Sequence, residues 1–123
     1  MPFKVLIVED NLVVRTTLGR LLGLEGFLVE MAGTLQEGME KLDGQVSVIL
    51  DLDLPDGNGI DLLRRIRAEN SPIQVVVVTA CNDPSALSAV AKLRPEALLC
   101  KPINLQTIVA LLHSRGNNAR VSV

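Results

Sequence analysis

Short apolar runs rich in branched residues recur along the chain at Lys4 to Val8, Phe27 to Met31, Val46 to Leu50, Ile73 to Val78 and Ala97 to Cys100. Each is too short for a helix and too continuous for a strand with one wet face. They predict five strands, the first, third and fourth buried on both faces. Between them apolar residues return at helical spacing: Val14, Leu18, Leu21 and Leu22; Leu35, Met39 and Leu42; Ile60, Leu63 and Ile66; Leu87, Val90 and Ala91. A fifth helix is expected after Pro102, through Leu105, Ile108, Val109 and Leu112. Asn11, Thr34 and Asp83-Pro84 are start signals, whereas Gly26, Gly44 and Asn70-Ser71-Pro72 are stops. The alternation is (βα)5. Right-handed crossovers then require a doubly wound, five-stranded parallel sheet with helices on both faces.

Such a sheet needs a large aliphatic core. Hydrophobic residues make up 48% of the 123 positions and mean hydropathy is +0.35, yet aromatics are only 2%, so the core is expected from Leu, Val, Ile and Ala. The length suits one domain, expected over residues 1–116, with 117–123 a disordered tail or the start of a linker. Twelve Lys and Arg stand against 14 Asp and Glu, for a net charge of -2, and no basic stripe is present. Direct nucleic-acid contact by this segment is therefore not expected. The apolar run near the start is too short for a signal peptide or a membrane span, which points to a cytoplasmic protein without membrane contact. Cys81 and Cys100 match no metal-ligand spacing, and are expected to be reduced, small residues near strand ends.

In open α/β sheets ligands bind beyond the carboxyl ends of the strands. The residues there are Glu9 and Asp10 after the first strand, Asp51 and Asp53 at the third, Thr79 at the fourth and Lys101 at the fifth. Close carboxylates repel one another unless a cation neutralises them. With oxygen ligands only, and no His or Cys in the set, a hard ion such as Mg²⁺ fits. A carboxylate beside that ion can attack phosphorus, giving an aspartyl phosphate. Lys101 could meet the added charge and Thr79 could donate its hydroxyl to it.

The residues V-L-I-V-E-D-N at 5–11, V-I-L-D-L-D-L-P-D-G-N-G at 48–59, V-V-V-V-T-A at 75–80 and L-L-C-K-P at 98–102 resemble those of bacterial response-regulator receiver domains. The resemblance covers the chain from about Lys4 to His113, and it rests on the joint order and spacing of the motifs. It implies the flavodoxin-like strand order 2-1-3-4-5 and a phosphorylation-dependent switch of a two-component system, not an enzyme. Asp51 is then the phosphoacceptor. The resemblance implies Glu9, Asp10, Asp51 and the backbone carbonyl of Asp53 as the Mg²⁺ site, with Glu9 acting through water. Thr79, Ala80, Lys101 and Leu98 become the switch and phosphate-binding set, Asp53 and Cys81 the positions that tune dephosphorylation, and Lys101-Pro102 a cis bond. The implied partners are a sensor histidine kinase or phosphotransfer protein, and an output domain or partner protein.

Two positions depart from the family pattern. Leu98 stands where Tyr or Phe is usual, so a ring rotation cannot report the switch. The fourth and fifth helices, expected over Ser85 to Leu93 and Ile103 to His113, carry few charges. A homodimer through the fourth helix, fifth strand and fifth helix is thus expected to form by apolar contact. Two alternatives stay open on sequence. Asp51-Leu52-Asp53 also resembles the nucleophile motif of haloacid-dehalogenase-type phosphatases, although there the pair follows the first strand. A pseudo-receiver, keeping the fold as a binding module, is the other. Asp56 to Gly59 read as turn and cap chemistry, and His113 as a charge near a helix C-terminus.

Overall fold

The computed structural model describes residues 3–118. Its elements are β1 (Lys4–Val8), α1 (Leu12–Leu24), β2 (Leu28–Ala32), α2 (Leu35–Glu40), β3 (Ser47–Asp51), β4 (Asp53–Leu54), β5 (Gly57–Asn58), α3 (Ile60–Ala68), β6 (Gln74–Thr79), α4 (Pro84–Lys92), β7 (Ala97–Cys100) and α5 (Leu105–Asn118). Five strands pair in parallel in the order β2-β1-β3-β6-β7. Numbered without the small β4–β5 hairpin, this is the expected 2-1-3-4-5. Helix α5 continues through Asn118, so residues 117 and 118 belong to it; the rest of the expected tail lies outside the described residues.

The helix starts follow local chemistry. Asn11 accepts from the Val14 amide at 3.1 Å, and Thr34 from the Glu37 amide at 3.0 Å. Asp83 accepts from the amides of Ser85 and Ala86, with Pro84 in the first turn, where its missing N–H costs nothing. At the other ends, Gly26 and Gly44 take positive φ, as the stop signals require.

Alternation along each strand sends side chains to two cores. Leu6, Val8, Val48, Leu50, Val75 and Val77 meet Leu62, Leu63 and Ile66 of α3 and Val90 of α4. On the opposite face Val5, Ile7, Ile49, Val76 and Val78 meet Leu18 and Leu22 of α1 and Ile108 and Leu112 of α5. All of β3 and β6 is buried, and β1 is buried beyond Lys4. Each fully buried Val, Leu or Ile among them contributes about 1.5–3 kcal/mol relative to exposure. The sheet therefore forms a rigid frame whose carboxyl edge carries the polar residues.

The cysteines differ from expectation: Cys81 and Cys100 form a disulfide, with Cα atoms 5.5 Å apart. Parallel register sets Cys100 opposite Thr79, and the left-handed backbone at Cys81, with φ of 60°, turns the chain back toward it. Compartment alone implies free thiols, and a separation of 19 residues holds no local signal for pairing. Among the described residues, no helix is long and apolar enough to cross a membrane.

Candidate phosphoacceptor site

Asp51 is the last residue of β3 and is 3% exposed, although it is a carboxylate. Glu9, directly after β1, is 4% exposed. Two such groups need compensation, and each finds it twice. One Asp51 oxygen accepts from the Asp53 amide at 3.2 Å, and the other lies 3.3 Å from the Lys101 ammonium. Glu9 repeats the pattern, accepting from the Asn11 amide at 3.0 Å and facing Lys101 at 3.3 Å. Lys101 thus bridges both carboxylates from the end of β7.

Asp10 joins them from the surface. Carboxylate oxygens of Glu9, Asp10 and Asp51 lie within 4.8 Å of one another. The donors are all oxygen, two are held by backbone amides, and Asp10 opens to solvent; this is the chemistry of a hard divalent cation that keeps some of its water. Asp53 stands at the start of β4 with its carboxylate exposed, outside that group of side chains.

The electrostatics match the packing. Burial pushes the Glu9 carboxyl above its ordinary range; the Asn11 amide opposes this, the neighbouring Asp51 charge adds to it, and Lys101 pulls it back. Burial also works against the charge on Lys101, but the carboxylates of Asp51 and Glu9 outweigh it and hold the ammonium above the usual lysine value.

Thr79 ends β6 and is buried. Its hydroxyl accepts from the Cys81 amide at 3.3 Å, and its carbonyl accepts from the Lys101 amide at 2.7 Å. The Lys101-Pro102 bond is cis, as the resemblance implied. Ala80 follows Thr79 and is exposed. Leu98 is half-buried against the core that contains Val90, so it is a packing residue on the α4 side of β7.

Other contributors escaped the sequence reading. The Arg15 guanidinium donates to the carbonyls of Glu9 at 2.8 Å and Asp10 at 3.4 Å, fixing the acidic loop. A Cβ at Gly59 would strike the Asp51 carbonyl oxygen, so glycine lets the start of α3 press against the end of β3. Asp56, read as a turn residue, accepts from the amides of Leu35 at 2.7 Å and Gln36 at 3.0 Å in the first turn of α2. An arginine one turn into a helix and a helix-capping glycine have ordinary local roles, so only the fold shows what they touch.

Comparison with known proteins agrees with this geometry. Residues 5–113 match the response regulator receiver domain family. The response regulator MprA of Mycolicibacterium vanbaalenii is 31% identical over 119 residues, covering 93% of this chain and 50% of that protein. A cyclic di-GMP phosphodiesterase of Thermotoga maritima is 32% identical over 114 residues, covering 92% of this chain and 31% of that one. The chain thus spans about half or less of the length of these curated relatives. In structure it superimposes on a CheY-like receiver domain protein from Methanospirillum hungatei with a TM-score of 0.87 at 23% identity, covering 95% of both chains. With the family matched over nearly all of its length and the parallel sheet in the expected order, the chain belongs to the response regulator receiver domains of two-component signalling.

Proposed function

We propose that Asp51 accepts a phosphoryl group from a sensor histidine kinase or phosphotransfer protein, and that Thr79 and Lys101 convert this into a change of conformation. The observation that carries the reading is the bridge from Lys101 to Asp51 and Glu9 beside the exposed Asp10. Glu9, Asp10 and Asp51, with the Asp53 carbonyl, would hold Mg²⁺. Bound there, the ion would screen the negative charge of the incoming phosphoryl group.

This chain's own residues supply the rest. The Asp53 amide holds one Asp51 oxygen in place. Lys101 already faces the other and can transfer its contact to a phosphoryl oxygen. Thr79, with Ala80 next to it, offers the hydroxyl at the neighbouring strand end. Because Leu98 is packed and has no ring, the readout we assign is movement of β6, β7 and α4 rather than an aromatic rotation. Asp53 and Cys81 would set the lifetime of the phosphate.

The setting we assign is cytoplasmic, and the recipient is an output domain, a partner protein or a second copy across α4, β7 and α5. The activity is self-catalysed phosphoacceptance and loss, without turnover of a free substrate. Acetyl phosphate or a kinase, with Mg²⁺, is expected to add one phosphate, on Asp51. Intact-mass measurement finding that phosphate in Asp51→Asn would refute the assignment.

A further inference from the structure

The disulfide lies against the two residues to which the switch is assigned. Cys81 is two residues past Thr79 and donates its amide to the Thr79 hydroxyl at 3.3 Å. Cys100 directly precedes Lys101, whose amide is bonded to the Thr79 carbonyl at 2.7 Å. The Cys81–Cys100 bond therefore ties the chain just past the end of β6 to the last residue of β7, with Thr79 and Lys101 flanking the bridge on its outer sides.

Phosphorylation has to disturb this place. Lys101 stands 3.3 Å from Asp51, so a phosphoryl group attached there needs the ammonium to withdraw and re-seat on its oxygens. Thr79 is buried, and its hydroxyl accepts from the Cys81 amide; turning that hydroxyl toward the phosphoryl group either gives up this bond or draws the backbone at 80 and 81 along with it. A bond from residue 81 to residue 100 opposes that movement on both strands. Cys81 also has a left-handed backbone, φ 60°, at the point where the chain leaves β6.

We propose that Cys81 and Cys100 form a thiol–disulfide exchange site that gates the receiver: the oxidised chain is restrained, and reduction by a cellular thiol frees Thr79 and Lys101 to engage the phosphoryl group. The inference rests on the phosphoacceptor reading. Cys100 is exposed and Cys81 half-buried, so exchange starts at Cys100. A thiolate attacks its sulfur, forming a mixed disulfide; the Cys81–Cys100 bond breaks and Cys81 leaves as a thiolate that takes a proton. A second thiol then cleaves the mixed disulfide. Two electrons pass from two reductant thiols, which become a disulfide, to the protein, which gains two thiols.

The test binds beryllofluoride, a phosphoryl mimic, in Mg²⁺ buffer to protein oxidised with oxidised glutathione and to protein reduced with excess dithiol. Thiol titration of the unfolded protein fixes the state of each sample. Reduced protein is expected to bind at least fivefold more tightly than oxidised protein. Cys100→Ser, which cannot form the bridge, is expected to bind equally in both buffers, and Cys100→Ala provides the same comparison if the serine form does not fold. Equal affinity of the two wild-type states, free thiols after oxidation, or an undiminished redox effect in the Cys100 variants would overturn the gate and leave the phosphoacceptor reading standing. Absence of binding in both wild-type states would overturn that reading, and the gate with it.

Discussion

The Lys101 ammonium lies 3.3 Å from the Asp51 carboxylate, a contact between residues 50 positions apart that forms only when β3 and β7 share one sheet. The same ammonium neutralises Glu9, so it acts as the resident counter-charge of a buried acidic pair. Lys101→Ala leaves both carboxylates facing each other without it. The side chain is 34% exposed, so solvent screens part of the loss, and the expected destabilisation is about 1–2 kcal/mol. Divalent-cation affinity is expected to be retained or raised, because the cation no longer competes with the ammonium. The phosphorylated variant is expected to lack the spectral change at α4. Metal titration and urea denaturation check the first pair, and wild-type changes at α4 would remove Lys101 from the switch.

Chelation of divalent cations is expected to abolish phosphorylation while leaving the domain folded. The central strands β1, β3 and β6 are packed on both faces by aliphatic side chains, and Lys101 already partners the two buried carboxylates. Far-UV dichroism with and without chelator gives the check; loss of the helical signal would mean that the cation holds the fold.

Gly59 has no room for a side chain, since a Cβ would meet the Asp51 carbonyl oxygen and come within 3.1 Å of the Leu52 Cα. Backbone atoms cannot swing aside as a flexible side chain can. Gly59→Ala is expected to lose about 1–3 kcal/mol and to slow labelling of Asp51 by shifting the end of β3. Its denaturation midpoint and phosphorylation rate test both, and parental values for the two would show that the β3 end accommodates a methyl group freely.

Where periodicity governs, the sequence could be read directly. The runs at 4–8 and 73–78 lie within a residue of β1 and β6, and Asn11, Thr34 and Asp83 cap the helices they were expected to start. The acidic group was legible for a similar reason, because parallel strands deliver their last residues to one edge. What could not be read depends on register and packing. Cys81 and Cys100 meet because Thr79 pairs with Cys100 and residue 81 turns left-handed. The β4–β5 hairpin is two residues per strand, too short for a period to show. Asp56 reaches α2 across 21 residues, and only the fold brings that helix start within reach of the turn.

The Asp56 carboxylate should give the protein a pH signature of its own. The amides of Gln36 and Leu35 hold its pKa below the ordinary 3.8. The folded state thus binds the proton less readily than the unfolded chain. Its stabilisation is fully present above 3.8 and is lost as pH falls through the lower, folded value. Asp56→Ala is expected to be less stable than the parent at neutral pH, with the gap closing in stronger acid. Urea midpoints at neutral pH and at about pH 2 decide it; an undiminished gap would assign the effect to something other than this charge.

Asp53 offers the cleanest separation of chemistry from stability. Its amide anchors Asp51 and is kept on replacement by asparagine, whereas its carboxylate is exposed and two residues from Asp51, the proposed phosphoacceptor. That carboxylate can repel the phosphoryl group or orient a hydrolytic water, two effects of opposite sign on the decay of an acyl phosphate. Replacing it with a neutral amide of the same shape removes both at once. Asp53→Asn is therefore expected to change the dephosphorylation rate severalfold, while its denaturation midpoint stays within about 0.5 kcal/mol of the parent, as for a surface substitution. The measurement is phosphate release in Mg²⁺ buffer from equal starting occupancy. Equal decay rates would show that this side chain has no part in controlling access to the phosphate, and a large stability loss would mean that the carboxylate also supports the β4–β5 hairpin.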